Sequence, residues 1–204
     1  MNPWIAPTSL SGQHVQLVPL SHLQHDDLVT SVRDGELWNH WYTAIPTPEG
    51  MATEITRRLD LQAKGSMCPF AVIDPATNQA VGMTTYMNID APNKRVEIGS
   101  TWYRANVQRS SLNTECKRLL LAHAFEQLNC IAVEFRTHFF NQQSRNAIER
   151  LGAKLDGILR NHAINTHPDA VGALRDTCVY SILNTEWPSV KAHLDYQLSR
   201  TRKA

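Results

Sequence analysis

Between Arg104 and Thr114 the chain reads RANVQRSSLNT, a polar stretch that sets Gln108, Arg109, Ser110, Ser111, Asn113 and Thr114 close together. Short hydroxyl and amide side chains beside an arginine are suited to holding an anion. At a helix start, the free backbone N–H groups and the positive end of the helix dipole add to that attraction. The chemistry this stretch offers is therefore recognition of a phosphate or pyrophosphate.

The segments on either side decide whether that geometry exists. Upstream, Val96, Ile98, Ser100 and Trp102 alternate with Glu97, Gly99, Thr101 and Tyr103, the two-residue period of a strand. Downstream, Leu112, Cys116, Leu119, Leu120, Ala124 and Leu128 recur every three or four residues and would share one helical face. Asn113 and Thr114 are the expected N-cap, with Glu115 in the first turn where the dipole favours a carboxylate. The reading is strand, polar loop, buried helix, a unit that also serves as a plain structural crossover.

Composition narrows the class. The 204 residues are 42% hydrophobic and 19% charged, ordinary for a soluble globular protein, and the length suits one domain spanning 1–204. Lys plus Arg number 20 against 19 acidic residues, which gives no electrostatic case for nucleic acid. The one basic cluster, Arg200, Arg202 and Lys203, reads as a solvated tail. Cys68, Cys116, Cys130 and Cys178 form no CxxC pair or metal-ligand spacing and read as small buried hydrophobes in a reducing compartment. His22 and His25 lack the further ligands of a metal site. With no signal peptide or membrane-spanning run in the sequence, a cytoplasmic location is expected.

In chain order, residues 1–12 read as a loose arm. His14–Leu20 reads as a strand stopped at Pro19, Ser21 caps a helix to about Arg33, and a second helix runs from Pro48 to Gly65. Three strands joined by tight turns follow (Cys68–Asp74, Ala80–Asp90 and Lys94–Tyr103). After the central helix come the strand Cys130–Thr137, parallel to the third of these, and a helix from Asn141 to Leu151. A hairpin of Lys154–Asn165 and Val171–Asn184 precedes a terminal helix, Glu186–Arg200. The pattern alone predicts an α+β fold with a mixed sheet.

Three stretches carry a more specific likeness: NTECKRLLLAHAFEQL from Asn113, NQQSRNAIERLGA from Asn141, and RDTCVYSI from Arg175. With these, the chain resembles the GNAT superfamily of acyl-CoA-dependent N-acetyltransferases from about His14 to Trp187. Within it, the chain is most similar to the group containing the ribosomal-protein N-terminal acetyltransferases RimJ and RimL. The resemblance implies a mostly antiparallel mixed sheet, splayed at its centre between the fourth and fifth strands and flanked by helices, with the acyl-CoA arm in the gap. It implies acetyl-CoA as co-substrate, no metal, and direct transfer to a primary amine on a protein N-terminus or a small molecule. No nucleic-acid or membrane partner is expected, and a homodimer is left open. The alternative function is a non-catalytic GNAT-fold protein that binds acyl-CoA or a partner.

The resemblance also distributes roles. Acetyl-CoA would meet Ile98, Ser100 and Trp102 on the strand, Gln108 to Thr114 in the loop, and Asn141 and Ser144. Ser111 and Asn113 stand where the family's pyrophosphate pattern has small residues, chiefly glycine, a loss that limits positive φ and close backbone approach. Arg109 is placed to pair with a phosphate or is an ordinary exposed arginine. Ser144 would donate a hydrogen bond to the departing thiolate, and Asn141 would hold the pantetheine arm or cap the helix. Ala163 occupies the position of the group's proposed glutamate base, and the adjacent His162 should face the other side. His138 and Glu97 are the remaining candidates for proton removal. Trp38, Trp41 and Tyr42 would wall the acceptor pocket or pack into the core.

Overall fold

The computed structural model describes residues 3–200. Its strands are β1 (Leu10–Ser11), β2 (Gln16–Pro19), β3 (Met67–Asp74), β4 (Gln79–Asp90), β5 (Arg95–Tyr103), β6 (Ala132–His138), β7 (Lys154–Ile164) and β8 (Leu174–Leu183). They form one sheet in the order β1-β2-β3-β4-β5-β6-β8-β7, antiparallel everywhere except between β5 and β6. The helices are α1 (His25–Arg33), α2 (Met51–Ala63), α3 (Ser111–Ala122), α4 (Gln142–Glu149) and α5 (Trp187–Ser199). A single π-helical turn, His123–Gln127, extends α3.

Both faces of the sheet are covered. On one face, Cys116, Leu120 and Leu121 of α3 and Val190 and Leu194 of α5 join Leu17, Phe70, Val96, Val133 and Tyr180 in a core spanning β2 to β8. On the other, Leu28 and Val32 of α1 and Met51 and Ile55 of α2 bury Ala71, Met83 and Trp102. Because the central strands are buried on both sides, their sequences run apolar with little alternation, as in CPFAVI.

The parallel seam is short. β5 and β6 pair only at Arg95↔Ala132, Val96↔Val133 and Glu97↔Glu134, and the strands then part. This is the expected splay between the fourth and fifth strands, here β5 and β6 because Leu10–Ser11 adds a short strand ahead of the first one expected.

Several local expectations change. The N-terminal arm is not loose along its length: it supplies β1, Ile5 is buried, and Trp4 packs on the core. Ser21 caps a 3₁₀ turn at His22–Gln24 through a capping box with Gln24, and α1 starts only at His25. The N-cap of α3 is Ser110, whose hydroxyl accepts the Leu112 N–H, so Asn113 and Thr114 lie inside the helix. Glu115 therefore falls beyond the first turn, where its carboxylate accepts the N–H groups of Gln13 and His14 and ties α3 to the N-terminal arm. All four cysteines are free and buried. Arg202 and Lys203 fall outside the described residues.

Candidate active site

β5 does not keep its alternation. Gly99 pairs with Thr85 and Trp102 with Met83, so Ser100 and Thr101 together stand opposite Thr84. This is a β-bulge, with Ser100 in the left-handed region at φ +48°. The extra residue reverses the faces beyond it: Ile98 lies in the α3 core, Trp102 in the α1–α2 core, and Tyr103 returns to the α3 side. Ile98, Ser100 and Trp102 thus do not line one face. What they share is a strand whose edge toward β6 loses its partner after Glu97.

At the open end of β5, Gln108 donates to the Tyr103 carbonyl and accepts from Gln143 of α4, at 2.9 and 3.3 Å. The starts of α3 and α4 are thereby brought together beside the gap. Arg109 is exposed and takes the left-handed conformation, φ +60°. Ser111 and Asn113 are right-handed helical residues, so their positions need no glycine for backbone freedom. The first N–H groups of α3 have no carbonyl a turn earlier within the helix. A cleft of 380 Å³ opens here, lined by His14, Asp74, Asn106, Val107 and Ser110–Leu112 among others. The buried amide oxygen of Asn113 has no hydrogen-bond partner among the described residues.

Across the gap, Asn141 caps α4 by accepting the Ser144 N–H at 3.0 Å. The Ser144 hydroxyl, half-buried on the first turn, makes no hydrogen bond to another described residue.

The α1–α2 side of the seam carries the charges. Glu97 is 5% exposed and accepts from Asn88 Nδ2 at 2.6 Å, with Arg136 Nε 3.5 Å away. Burial, with Glu134 adding like-charge repulsion, lifts its pKa above the ordinary value despite Asn88 and Arg136. His138 is 3% exposed, its Nδ1 accepts the Phe140 N–H at 3.1 Å, and its ring lies 5.0 Å from Trp41. Burial, then Arg175, holds its pKa below the usual histidine value. With Nδ1 occupied as an acceptor, the neutral ring carries its proton on Nε2 and offers no free lone pair. The Glu97 carboxylate, by contrast, has lone pairs beyond the one that accepts from Asn88.

The aromatic segment divides. Trp41 and Tyr42 gather around His138, with Phe140 beside Trp41, whereas Trp38 packs on the α1–α2 core. The tip of the β7–β8 hairpin holds the segment through Asn165 to the Trp41 carbonyl and His167 to the Trp38 carbonyl. Ala163 pairs with Arg175, while a break in register between Leu159 and Ala163 leaves His162 Nδ1 3.1 Å from the Thr177 hydroxyl.

The sequence model described as an acetyltransferase (GNAT) domain matches residues 14–154. The chain belongs to the GNAT family of acetyltransferases. Among GNAT structures, a GCN5-related N-acetyltransferase from Brucella melitensis is 27% identical, covers 97% of this chain and 88% of its own, and superposes with a TM-score of 0.84. A Bacillus subtilis (strain 168) protein named as a proposed ribosomal N-acetyltransferase, YdaF, is 30% identical over 110 residues. That match spans 54% of this chain and 57% of YdaF, little more than half of either. Mycobacterium smegmatis RimJ, solved in complex with CoA-disulfide, shares the fold at 17% identity, with a TM-score of 0.79 over 97% of both chains. GNAT enzymes use acetyl-CoA, and YdaF and a Bacillus licheniformis relative, p20, both carry the name N-acetyltransferase. Among the described residues, no helix is long and apolar enough to cross a membrane.

Sequence reasoning missed the residues that brace the site: Arg58, Lys117, Arg136 and Arg175. Arg58 left a trace, since it continues the Met51, Ile55 stripe of α2 at helical spacing and is 1% exposed.

Proposed function

We propose that the protein transfers the acetyl group of acetyl-CoA directly to a primary amine within a ternary complex. The observation that carries this reading is the parting of β5 and β6 after Glu97↔Glu134, beside the converging starts of α3 and α4. An extended pantetheine arm can follow the free edge of β5 as a strand would. The pyrophosphate then meets the start of α3 at Gln108–Thr114, with the adenosine end toward the cleft near Asp74 and Asn106.

In this arrangement the thioester carbonyl lies at the bulge, and the acceptor amine approaches from the Glu97 side. An ammonium has no lone pair, so its proton must leave first. Glu97, with its raised pKa, accepts it directly or through water. The amine attacks the carbonyl carbon, the oxyanion is met by backbone N–H groups, and the C–S bond breaks. The Ser144 hydroxyl donates to the sulfur as thiolate character develops. Trp41 and Tyr42 give the acceptor an apolar wall. The likeness to YdaF makes a protein N-terminal amine the first acceptor to test, ahead of small-molecule amines.

The test is thiol release from acetyl-CoA with a panel of peptides bearing free N-termini and of small amines, with products weighed by mass spectrometry. Amine-dependent release with a matching acetylated product is expected. Acetyl-CoA binding without release for every amine would favour the non-catalytic reading instead.

A further inference from the structure

The bulge on β5 is gripped from both faces of the sheet by buried cations. From α2, Arg58 Nη1 and Nη2 each donate to the Ser100 carbonyl at 3.1 Å, and Nη1 also donates to Thr85 Oγ1 at 2.8 Å. Its Nε is held by Glu54 Oε1 at 2.7 Å. From α3, Lys117 Nζ donates to Thr101 Oγ1 at 2.9 Å and lies 3.5 Å from Thr84 Oγ1. Those two hydroxyls are 2.8 Å apart, and Thr101 Oγ1 lies 3.3 Å from the Gly99 carbonyl, to which it can donate. The carbonyls of Ser100 in the bulge and of Gly99 just before it are thus engaged from opposite sides.

Nothing in acetyl transfer as described uses either cation. Lys117 is 8% exposed. The groups facing it are the Thr84 and Thr101 hydroxyls and the neighbouring Cys116 thiol; among the described residues no carboxylate pairs with it. A buried ammonium without a counterion is expensive, and burial brings its pKa down to about 8. A serine at positive φ is also unfavourable, and persists only where its surroundings over-determine it. Both costs meet at the two residues of the bulge, Ser100 and Thr101.

We propose that Arg58 and Lys117 are positioning residues that lock the bulge, fixing its carbonyls so that its backbone N–H groups are the donors presented to the thioester oxygen. The kinetic part of this proposal rests on the acetyl-transfer reading; the lock itself rests on the bonds above. Arg58 acts directly on Ser100, and its ion pair keeps it charged. Lys117 acts through Thr101. Lys117 stays in the core when only the bulge opens, so loss of its proton weakens its grip on the Thr101 oxygen. The lock then relaxes locally as pH rises through about 8, even as the whole fold gains stability.

The test uses the full chain with Lys117→Met and Arg58→Lys, the latter keeping the charge but losing the two-pronged grip. Amide hydrogen-exchange protection over residues 99–102, corrected for intrinsic rates, is followed from pH 7 to 9.5 beside acetyl-CoA affinity and kcat. For wild-type protein, protection at the bulge should fall across pH 8. Lys117→Met should remove that step and lower bulge protection at pH 7 by about tenfold. Acetyl-CoA affinity should stay within about twofold while kcat falls about tenfold or more, the pattern for donors that act in the transition state. Arg58→Lys should loosen the bulge while retaining the step near pH 8. Unchanged bulge protection in Lys117→Met overturns the lock, whatever the enzyme acetylates. Loss of protection in a protein that acetylates no amine would instead leave the lock standing and remove the transferase reading.

Discussion

The Glu97 carboxylate lies directly over Gly99. A Cβ added at Gly99 would come within 2.7 Å of Glu97 Oε1 and 2.7 Å of Met87 Sδ. The glycine leaves space for an acidic group to lie flat along its own strand and reach the bulge. Gly99→Ala should therefore displace the carboxylate. Acetyl-CoA affinity should be kept while kcat falls about tenfold or more, as measured by calorimetry and steady-state kinetics; equal losses in both would mean that the strand itself is disturbed.

Glu97 also predicts a pH dependence. Its pKa is raised, so the base form that accepts the amine proton is lost as pH falls through a value above the usual carboxylate range. The kcat profile should show an acid limb there. Glu97→Gln should abolish that limb and reduce kcat by about 10² or more. A limb that survives in the variant would assign it to another group.

Ser144 and Asn141 should separate kinetically although they share one turn. Ser144→Ala removes a hydroxyl that no other described residue engages, leaving the Asn141 cap intact. It should lower kcat with little change in acetyl-CoA Kd or Tm. Asn141→Ala removes the cap and should cost about 1 kcal/mol of stability. Thermal unfolding run beside single-turnover rates distinguishes them, and unchanged chemistry in Ser144→Ala would leave it a helix-start residue only.

Trp41 is half-buried, with its ring against His138 and its backbone tied to the hairpin. Trp41→Ala should raise the acceptor KM and leave acetyl-CoA affinity unchanged. A core tryptophan would behave differently, costing about 3–5 kcal/mol and affecting both substrates alike. Two-substrate kinetics with a melting curve decides the point.

Lys117 carries a stability signature apart from its kinetics. Its folded pKa of about 8 lies below the ordinary lysine value of 10.5, so between those values the unfolded chain holds more protons. Stability should therefore rise with pH across that window, and the burial penalty, about 3 kcal/mol, is fully present at pH 7. Lys117→Met should raise stability near neutrality and flatten the alkaline rise, as read from denaturant unfolding at several pH values.

The order of strands and helices was legible because the periods of α2, α3 and α4 and the turns around Asp74–Gln79 and Ala91–Lys94 are local signals. The bulge was not. Val96, Ile98 and Trp102 keep an apolar two-residue rhythm, yet on a strand buried on both faces that rhythm carries no information about which side each residue takes. The start of α3 was misplaced because Ser110 and Asn113 are both good caps, and only the bond from the Leu112 N–H selects between them. Glu97 and Ser144 could be named by residue type. The partners of Glu97, Asn88 and Arg136, depend on register across three strands, which one sequence does not reveal. Lys117 has a signal of its own, a charge next to Cys116 and between the apolar positions Leu112 and Leu120.

The three-pair seam between β5 and β6 has a mechanical meaning. The sheet is two half-sheets, and a continuous core, with α3 at its centre, runs beneath both of them. Side chains such as Cys116, Leu120 and Leu121 act as the mortar, and the width of the gap above is set by how well they fit. A cofactor lying between the strands would work as a strut across the joint, so loosening the mortar, by Leu121→Ala for instance, should make the fold depend on its ligand long before it prevents the chain from folding.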